Sequence, residues 1–203
     1  MASELSQLLR KLRFGRPIIV VSGLPRSGTS MAMNMLEAGG LDVTTDGVRS
    51  PDEDNPKGYY EDDRVKDLAK MEDRSWLRRS RGRAIKVISF LLKDLPADNN
   101  YKIIFMERKL SEVLRSQQKM LENREEASGP EDQQMREVYT EHLRHVRFMV
   151  GYRRHLDALF VSYSEVLDDP EPHARRIDAF LGGGLDWQAM AEVVDPSLYR
   201  NRA

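Results

Sequence analysis

Ser22-Gly23-Leu24-Pro25-Arg26-Ser27-Gly28-Thr29-Ser30 has the glycine spacing of a phosphate-binding loop but lacks its lysine. In the Walker form, G-x-x-x-x-G-K-[ST], that lysine reaches the terminal phosphates of a nucleotide and the adjacent hydroxyl serves Mg²⁺. Thr29 stands at the lysine position, and the loop's cation is Arg26, three residues earlier. Backbone N–H groups of such a loop converge with the positive end of the following helix dipole, so an oxyanion is stabilised there. Arg26 adds a permanent, bidentate charge, and Thr29 and Ser30 add hydroxyl donors. No apolar strand ends in the aspartate of a Walker B metal site, which argues against Mg²⁺-dependent hydrolysis of a nucleoside triphosphate.

The flanking sequence agrees with a strand–loop–helix unit. Pro17-Ile18-Ile19-Val20-Val21 is a continuous apolar run, as expected of a strand buried on both faces of a parallel sheet. After the loop, Met31, Met35, Leu36 and Ala38 suit a helix from Ser27 to Ala38, with Gly39-Gly40 as its stop. Further strands are expected over 84–88, 101–106 and 158–163. Spacings of three and four from Met135 to Met149 predict a long amphipathic helix over 131–152. Helices are also expected from Asp169 to Leu181 and from Trp187 to Val193, and 122–130 reads as a surface loop or frayed helix end. Alternating strands and helices make this an α/β chain, a three-layer α/β/α P-loop architecture around a central parallel sheet.

With 203 residues, a single domain over 1–203 is expected, preceded by a helical extension at 1–16 in which Leu5, Leu8, Leu9 and Leu12 share a face. The net charge of −1 gives no global attraction for nucleic acid, so an anion site must be built locally. The absence of cysteine removes disulfides, thiolate metal sites and a cysteine nucleophile. No metal site is expected. No apolar run approaches the roughly 20 residues of a membrane span, and no secretory signal is visible, so a cytoplasmic protein without a membrane partner is expected. A homodimer is compatible with the sequence, although no pattern specifies it.

Leu24-Pro25-Arg26-Ser27-Gly28-Thr29-Ser30 resembles the 5′-phosphosulfate loop of sulfotransferases that use 3′-phosphoadenosine 5′-phosphosulfate (PAPS). The cytosolic branch of that family carries Lys where this chain has Arg26; the protein-tyrosine branch carries Arg. Tyr101-Lys102-Ile103-Ile104-Phe105-Met106-Glu107-Arg108, continued to Ser116, is similar to the family's 3′-phosphate element, in which an arginine at a strand end and a serine eight residues later hold that phosphate. The resemblance runs from Pro17 to about Arg202. Asn55-Pro56-Lys57-Gly58-Tyr59-Tyr60-Glu61 and Asp195-Pro196-Ser197-Leu198-Tyr199-Arg200-Asn201-Arg202 look like segments of short bacterial sulfotransferase-like proteins.

The resemblance implies transfer of a sulfuryl group from PAPS to a hydroxyl or amine of an unidentified acceptor, leaving 3′-phosphoadenosine 5′-phosphate (PAP), with no metal. It implies nucleotide binding by Pro25, Arg26, Ser27, Gly28, Thr29, Ser30, Arg108 and Ser116, with Arg200 and Arg202 replacing a C-terminal basic loop that is not evident. Three departures stand out: Ile88 lies where the cytosolic branch has its general-base histidine, Met31 lies where it has an adenine-stacking tryptophan, and that basic loop is missing. Negative charge develops on the departing nucleotide oxygen, and Arg26 with Lys86 is expected to stabilise it. A base must also take the acceptor's proton. Glu61 is the candidate, with Tyr59 and Tyr60 beside it to shield it and raise its pKa; the competing role is as part of the acidic run Glu61-Asp62-Asp63 capping the next helix. His142, His145, His155 and His173 are expected in or near helices with core or surface roles.

Arg74, Arg78, Arg79, Arg81 and Arg83 read as a solvated face or as help for a nucleotide or acidic acceptor. Asp52, Glu53, Asp54, Glu61, Asp62 and Asp63 also read as a solvated face. Two other readings stay open: a non-catalytic PAPS- or PAP-binding domain, and a P-loop nucleoside triphosphate kinase, against which Thr29 counts.

Overall fold

Five strands, all parallel, form one sheet in the order β2-β3-β1-β4-β5: β1 (Ile18–Gly23), β2 (Val43–Thr44), β3 (Ala84–Lys86), β4 (Tyr101–Glu107) and β5 (Leu156–Ser162). The structure is a computed structural model and describes residues 9–10, 12–46, 60–123 and 132–198. Every residue of β1 is buried, as its uninterrupted apolar run requires of a central strand covered on both faces. The two-residue β2 has too little periodicity to be seen in sequence, and it was not anticipated.

Alternate residues of β1 feed two cores. Ile19 and Val21 join Met33, Met35 and Leu36 of α1 (Thr29–Ala38), together with residues of α6 (Pro170–Leu181) and α7 (Trp187–Glu192). Ile18 and Val20 join Ile85, Ile103 and Phe105 beneath Val146 and Met149 of α4 (Asp132–Tyr152). A third cluster joins Leu24 of the loop to Val113 and Leu114 of α3 (Leu110–Asn123) and Tyr139 of α4. The result is helix, sheet, helix.

Other helical segments include α2 (Asp63–Lys66), α5 (Tyr163–Asp168) and 3₁₀ turns at Ser75–Ser80, Ser89–Asp94 and Pro196–Leu198. The helix expected from Ser27 begins at Thr29, because the loop extends through Gly28. The strand expected over 158–163 spans Leu156–Ser162, and Tyr163 opens α5, where the Ser162 hydroxyl accepts from Glu165 N. The helix expected from Asp169 to Leu181 is α6, with Asp169 as its N-cap and Pro170 at its first position, while α5 before it was not anticipated. Residues 124–130, most of the expected surface loop, lie outside the described residues. Among the described residues no helix is long and apolar enough to cross a membrane.

Candidate active site

The phosphate-loop residues lie where β1 finishes and α1 begins, at the edge of a parallel sheet where ligands bind in open α/β folds. Ser27 N donates to Leu24 O at 3.1 Å, closing a four-residue turn with Pro25 second and Arg26 third. Arg26 has φ 69°, the left-handed conformation that the third position of a type II turn demands and that glycine ordinarily supplies. A cation thus occupies a position where backbone strain costs a side chain on the order of 1 kcal/mol.

Gly28 is fixed for a different reason. Its φ is 97°, and a Cβ there would lie 2.3 Å from Cδ2 of Tyr163. Glycine therefore lets the loop pack directly against the ring that begins α5. The hydroxyls of Ser22 and Ser27 are buried with no hydrogen-bond partner. Buried polar atoms usually find partners, so two orphaned oxygens at a phosphate loop mark it as a place built for a ligand.

The second expected element lies next to the first. Arg26 Nε donates to Ser116 Oγ at 3.0 Å, and Arg108 Nη1 donates to the carbonyl of Arg26 at 3.0 Å. The two expected phosphate grips are one continuous cluster. Arg108 Nε also donates to Glu112 at 2.9 Å, in a pair whose side chains are 7% and 1% exposed, and its guanidinium lies 4.7 Å from the Tyr163 ring centroid. Burial pushes the Tyr163 phenol up, an effect opposed by Arg108 and Arg26.

Lys86, at the end of β3, donates from Nζ to Ser30 Oγ at 3.2 Å and lies 3.8 Å from Glu61 Oε1. The other Glu61 oxygen is 3.7 Å from Lys66 Nζ. The Glu61 carbonyl accepts from Asp46 N and from the Thr45 hydroxyl, tying this segment to the finish of β2. The cap of α2 is Asp62, whose carboxylate accepts from Arg64 N, so the capping role considered for Glu61 belongs to its neighbour. Tyr60 directs its hydroxyl to Glu37 at 2.7 Å. Burial, together with that carboxylate, raises the Tyr60 phenol. Tyr59, Arg200 and Arg202 lie outside the described residues.

The arginine cluster is at the opposite edge of the sheet. Arg81 holds Asn99 and the Asp98 carbonyl, Arg78 pairs with Asp98, Arg83 pairs with Asp42, and Arg74 caps the Leu68 and Asp94 carbonyls. These contacts surround the starts of β1, β3 and β4, which removes the cluster from the loop and from any nucleotide held there. His155 sits in the turn before β5 rather than in a helix.

The sulfotransferase-domain family matches residues 16–201 of this sequence. The chain belongs to that family. Among solved structures, a sulfotransferase from Alicyclobacillus acidocaldarius is similar in fold at 15% identity and a TM-score of 0.50, over 90% of this chain and 88% of that one. No curated protein sequence matches significantly. The all-parallel five-stranded sheet with flanking helices is thus a sulfotransferase α/β fold, and family membership makes the protein a transferase of that class.

Within this sulfotransferase fold, sequence reading passed over two residues of the cluster. Glu112, in the first turn of α3, is four positions after Arg108 in the short loop that follows β4, and an acid so near an arginine could have been read as its partner. Tyr163 had no comparable signal, because its contact with Gly28 joins segments 135 residues apart.

Proposed function

We propose that this protein transfers a sulfuryl group from PAPS to a hydroxyl or amine acceptor. The observation that carries the reading is the convergence of Arg26, Arg108 and Ser116 on a loop with buried, unpartnered serine hydroxyls. A nucleotide with phosphates at both its 5′ and 3′ positions matches such a joined pair of anion sites better than a triphosphate chain does. The donor supplies an activated sulfuryl group whose S–O bond to phosphate is the one broken.

In this reading, Ser27, Gly28, Thr29 and Ser30 hold the 5′ end through backbone N–H groups and hydroxyls, with Pro25 and Arg26 shaping the turn. Arg108 and Ser116 hold the 3′-phosphate, while Arg26 bridges the two ends. Tyr163 and Glu112 keep the Arg108 guanidinium in place. Lys86 meets charge developing on the bridging oxygen, where a fixed cation lowers the barrier. Glu61, with ammonium groups at both oxygens, holds Lys86 toward Ser30.

Calorimetric titration of PAP against ATP with Mg²⁺ separates this reading from its rivals. Metal-independent binding of PAP, weakened about 100-fold in Arg108→Ala as expected for loss of a buried charge-assisted contact, is the expected result. Preference for ATP with Mg²⁺ would establish a nucleoside triphosphate enzyme instead. PAP binding with no turnover of PAPS would leave a binding domain.

A further inference from the structure

Sulfuryl transfer needs a group to take the acceptor's proton, and the end of β3 provides none: Ile88, two residues past Lys86, is apolar and 43% exposed. Ser89 and Phe90 follow, and both hold the same side chain. Ser89 Oγ, buried, is 2.9 Å from His142 Nε2, and the Phe90 ring stacks on the imidazole with centroids 3.8 Å apart and planes 14° apart. The imidazole is therefore fixed at one nitrogen and on one face. Its other nitrogen, Nδ1, has no hydrogen-bond partner among the described residues and is not among the buried unpartnered atoms.

Topology puts this pair at the same edge as the phosphate loop. Helix α4 runs back toward the start of β5, with Val146 and Met149 packed on the sheet, so His142, one turn earlier, is level with the strand finishes. Tyr139, one turn earlier still, is hydrogen-bonded to Gln117 and packed in the cluster containing Leu24, and Gln117 adjoins Ser116, the partner of Arg26. His142 therefore lies on the α4 face of the sheet, while Lys86 faces α1 through its bond to Ser30.

We propose that His142 is the general base for the acceptor, with Ser89 accepting from Nε2–H so that Nδ1 presents its lone pair to the incoming hydroxyl or amine. In the step, the acceptor oxygen or nitrogen forms a bond to sulfur, and the S–O bond to the 5′-phosphate breaks. The bonding pair leaves with PAP, and the acceptor's proton passes to Nδ1 and afterwards to solvent. Burial lowers the imidazole below its ordinary value of 6.5, and the neighbouring His145, on its own helix, and Lys93, from the 3₁₀ turn after β3, act in the same direction. The neutral, proton-accepting form therefore predominates at pH 7. The proposal rests on the sulfuryl-transfer reading, and it moves the proton from Glu61 to a residue for which the sequence suggested a core or surface role.

The test uses the full chain, with water as the acceptor, following release of PAP from PAPS. His142→Gln is expected to lower this rate about 100-fold, the usual contribution of a general base, with PAP affinity unchanged. The acidic limb of the pH–rate profile, expected below 6.5, should vanish in His142→Gln and persist in Glu61→Gln. Added imidazole should restore part of the rate in His142→Ala. Independently of activity, ¹⁵N NMR should show the Nε2–H tautomer of His142 at pH 7, and Ser89→Ala should disturb it. Retention of the limb in His142→Gln with its loss in Glu61→Gln overturns the proposal, as does the Nδ1–H tautomer in the wild type. A wild-type protein that binds PAP but releases none from PAPS also overturns it, whereas failure to bind PAP overturns the donor reading beneath it.

Discussion

The two edges of the sheet carry similar residues to opposite ends. At the strand starts, Arg10 donates to Asn100 and to the carbonyls of Ala97 and Asn99, Arg81 holds Asn99 and Asp98, and the Tyr101 hydroxyl donates to Pro96. This mesh of side chain and backbone ties neighbouring strands together. At the strand finishes, Arg26 sits in a left-handed conformation, Gly28 lies against an aromatic ring, and two serine hydroxyls are buried without partners. Polar groups at one edge are used on the fold itself, while those at the other are held at some cost in stability. The asymmetry has a simple source: in a parallel sheet with crossover helices, helix N-termini and their positive dipole ends collect beside the strand finishes.

Substitutions at the two edges should therefore separate ligand affinity from stability. Gly28→Ala is expected to have the largest effect, because its Cβ would displace the Tyr163 ring and with it Arg108. Calorimetry should show PAP affinity reduced at least 100-fold, and urea unfolding a loss of about 2 kcal/mol, a typical cost of overpacking. Should Gly28→Ala bind PAP normally, the contact with Tyr163 has no part in the site.

Arg26→Gly should move the two quantities in opposite directions. Relief of the left-handed strain is expected to raise stability by about 1 kcal/mol, while loss of the guanidinium should weaken PAP binding about tenfold. If both decline, Arg26 is a structural residue and the contrast between the edges fails at that position. At the other edge, Arg81→Ala should lower stability by about 1 kcal/mol, the net worth of a typical hydrogen bond, and leave PAP affinity as it was. Weaker PAP binding in that variant would return the arginine cluster to the nucleotide.

The smallest expected effect is pH-dependent. Burial, with Arg10 and Arg153 nearby, depresses His155 from 6.5 to about 4. The unfolded chain therefore takes up this proton at higher pH than the folded one, so the contribution to stability is present above pH 6.5 and declines as pH falls from 6.5 toward 4. His155 is partly exposed, and solvent reduces the size of the change. Urea midpoints measured across that window should vary less with pH in His155→Gln than in the wild type; an unchanged slope would remove His155 from the strand-start network.

Much of this was legible in the residues. The run Ile18–Val21 before a glycine loop specified a buried strand entering a phosphate cradle, because only a strand covered on both faces reads as unbroken apolar sequence. Arg108 and Ser116 were picked out by resemblance to a family's 3′-phosphate element, and the structure joins both to Arg26. Other features were not readable for a matching reason. The links from Arg26 to Ser116, Lys86 to Glu61, Gly28 to Tyr163 and Ser89 to His142 each cross from one crossover unit to another. Nothing in the local periodicity of either partner indicates the other. The arginines at 74–83 were ambiguous for the same cause, since only strand direction shows which edge of the sheet they face.

By itself, then, the sequence determined the strands β1, β3, β4 and β5, the helices α1, α4, α6 and α7, and the replacement of a lysine in the glycine loop, because these depend on residues close in the chain. Tertiary structure decided that Arg26, Arg108 and Ser116 form one cluster, that Lys86 and Glu61 face each other, and that a histidine from α4 meets Ser89 and Phe90 past the finish of β3. Those pairings follow from the sheet order β2-β3-β1-β4-β5, which brings together side chains that are distant in sequence.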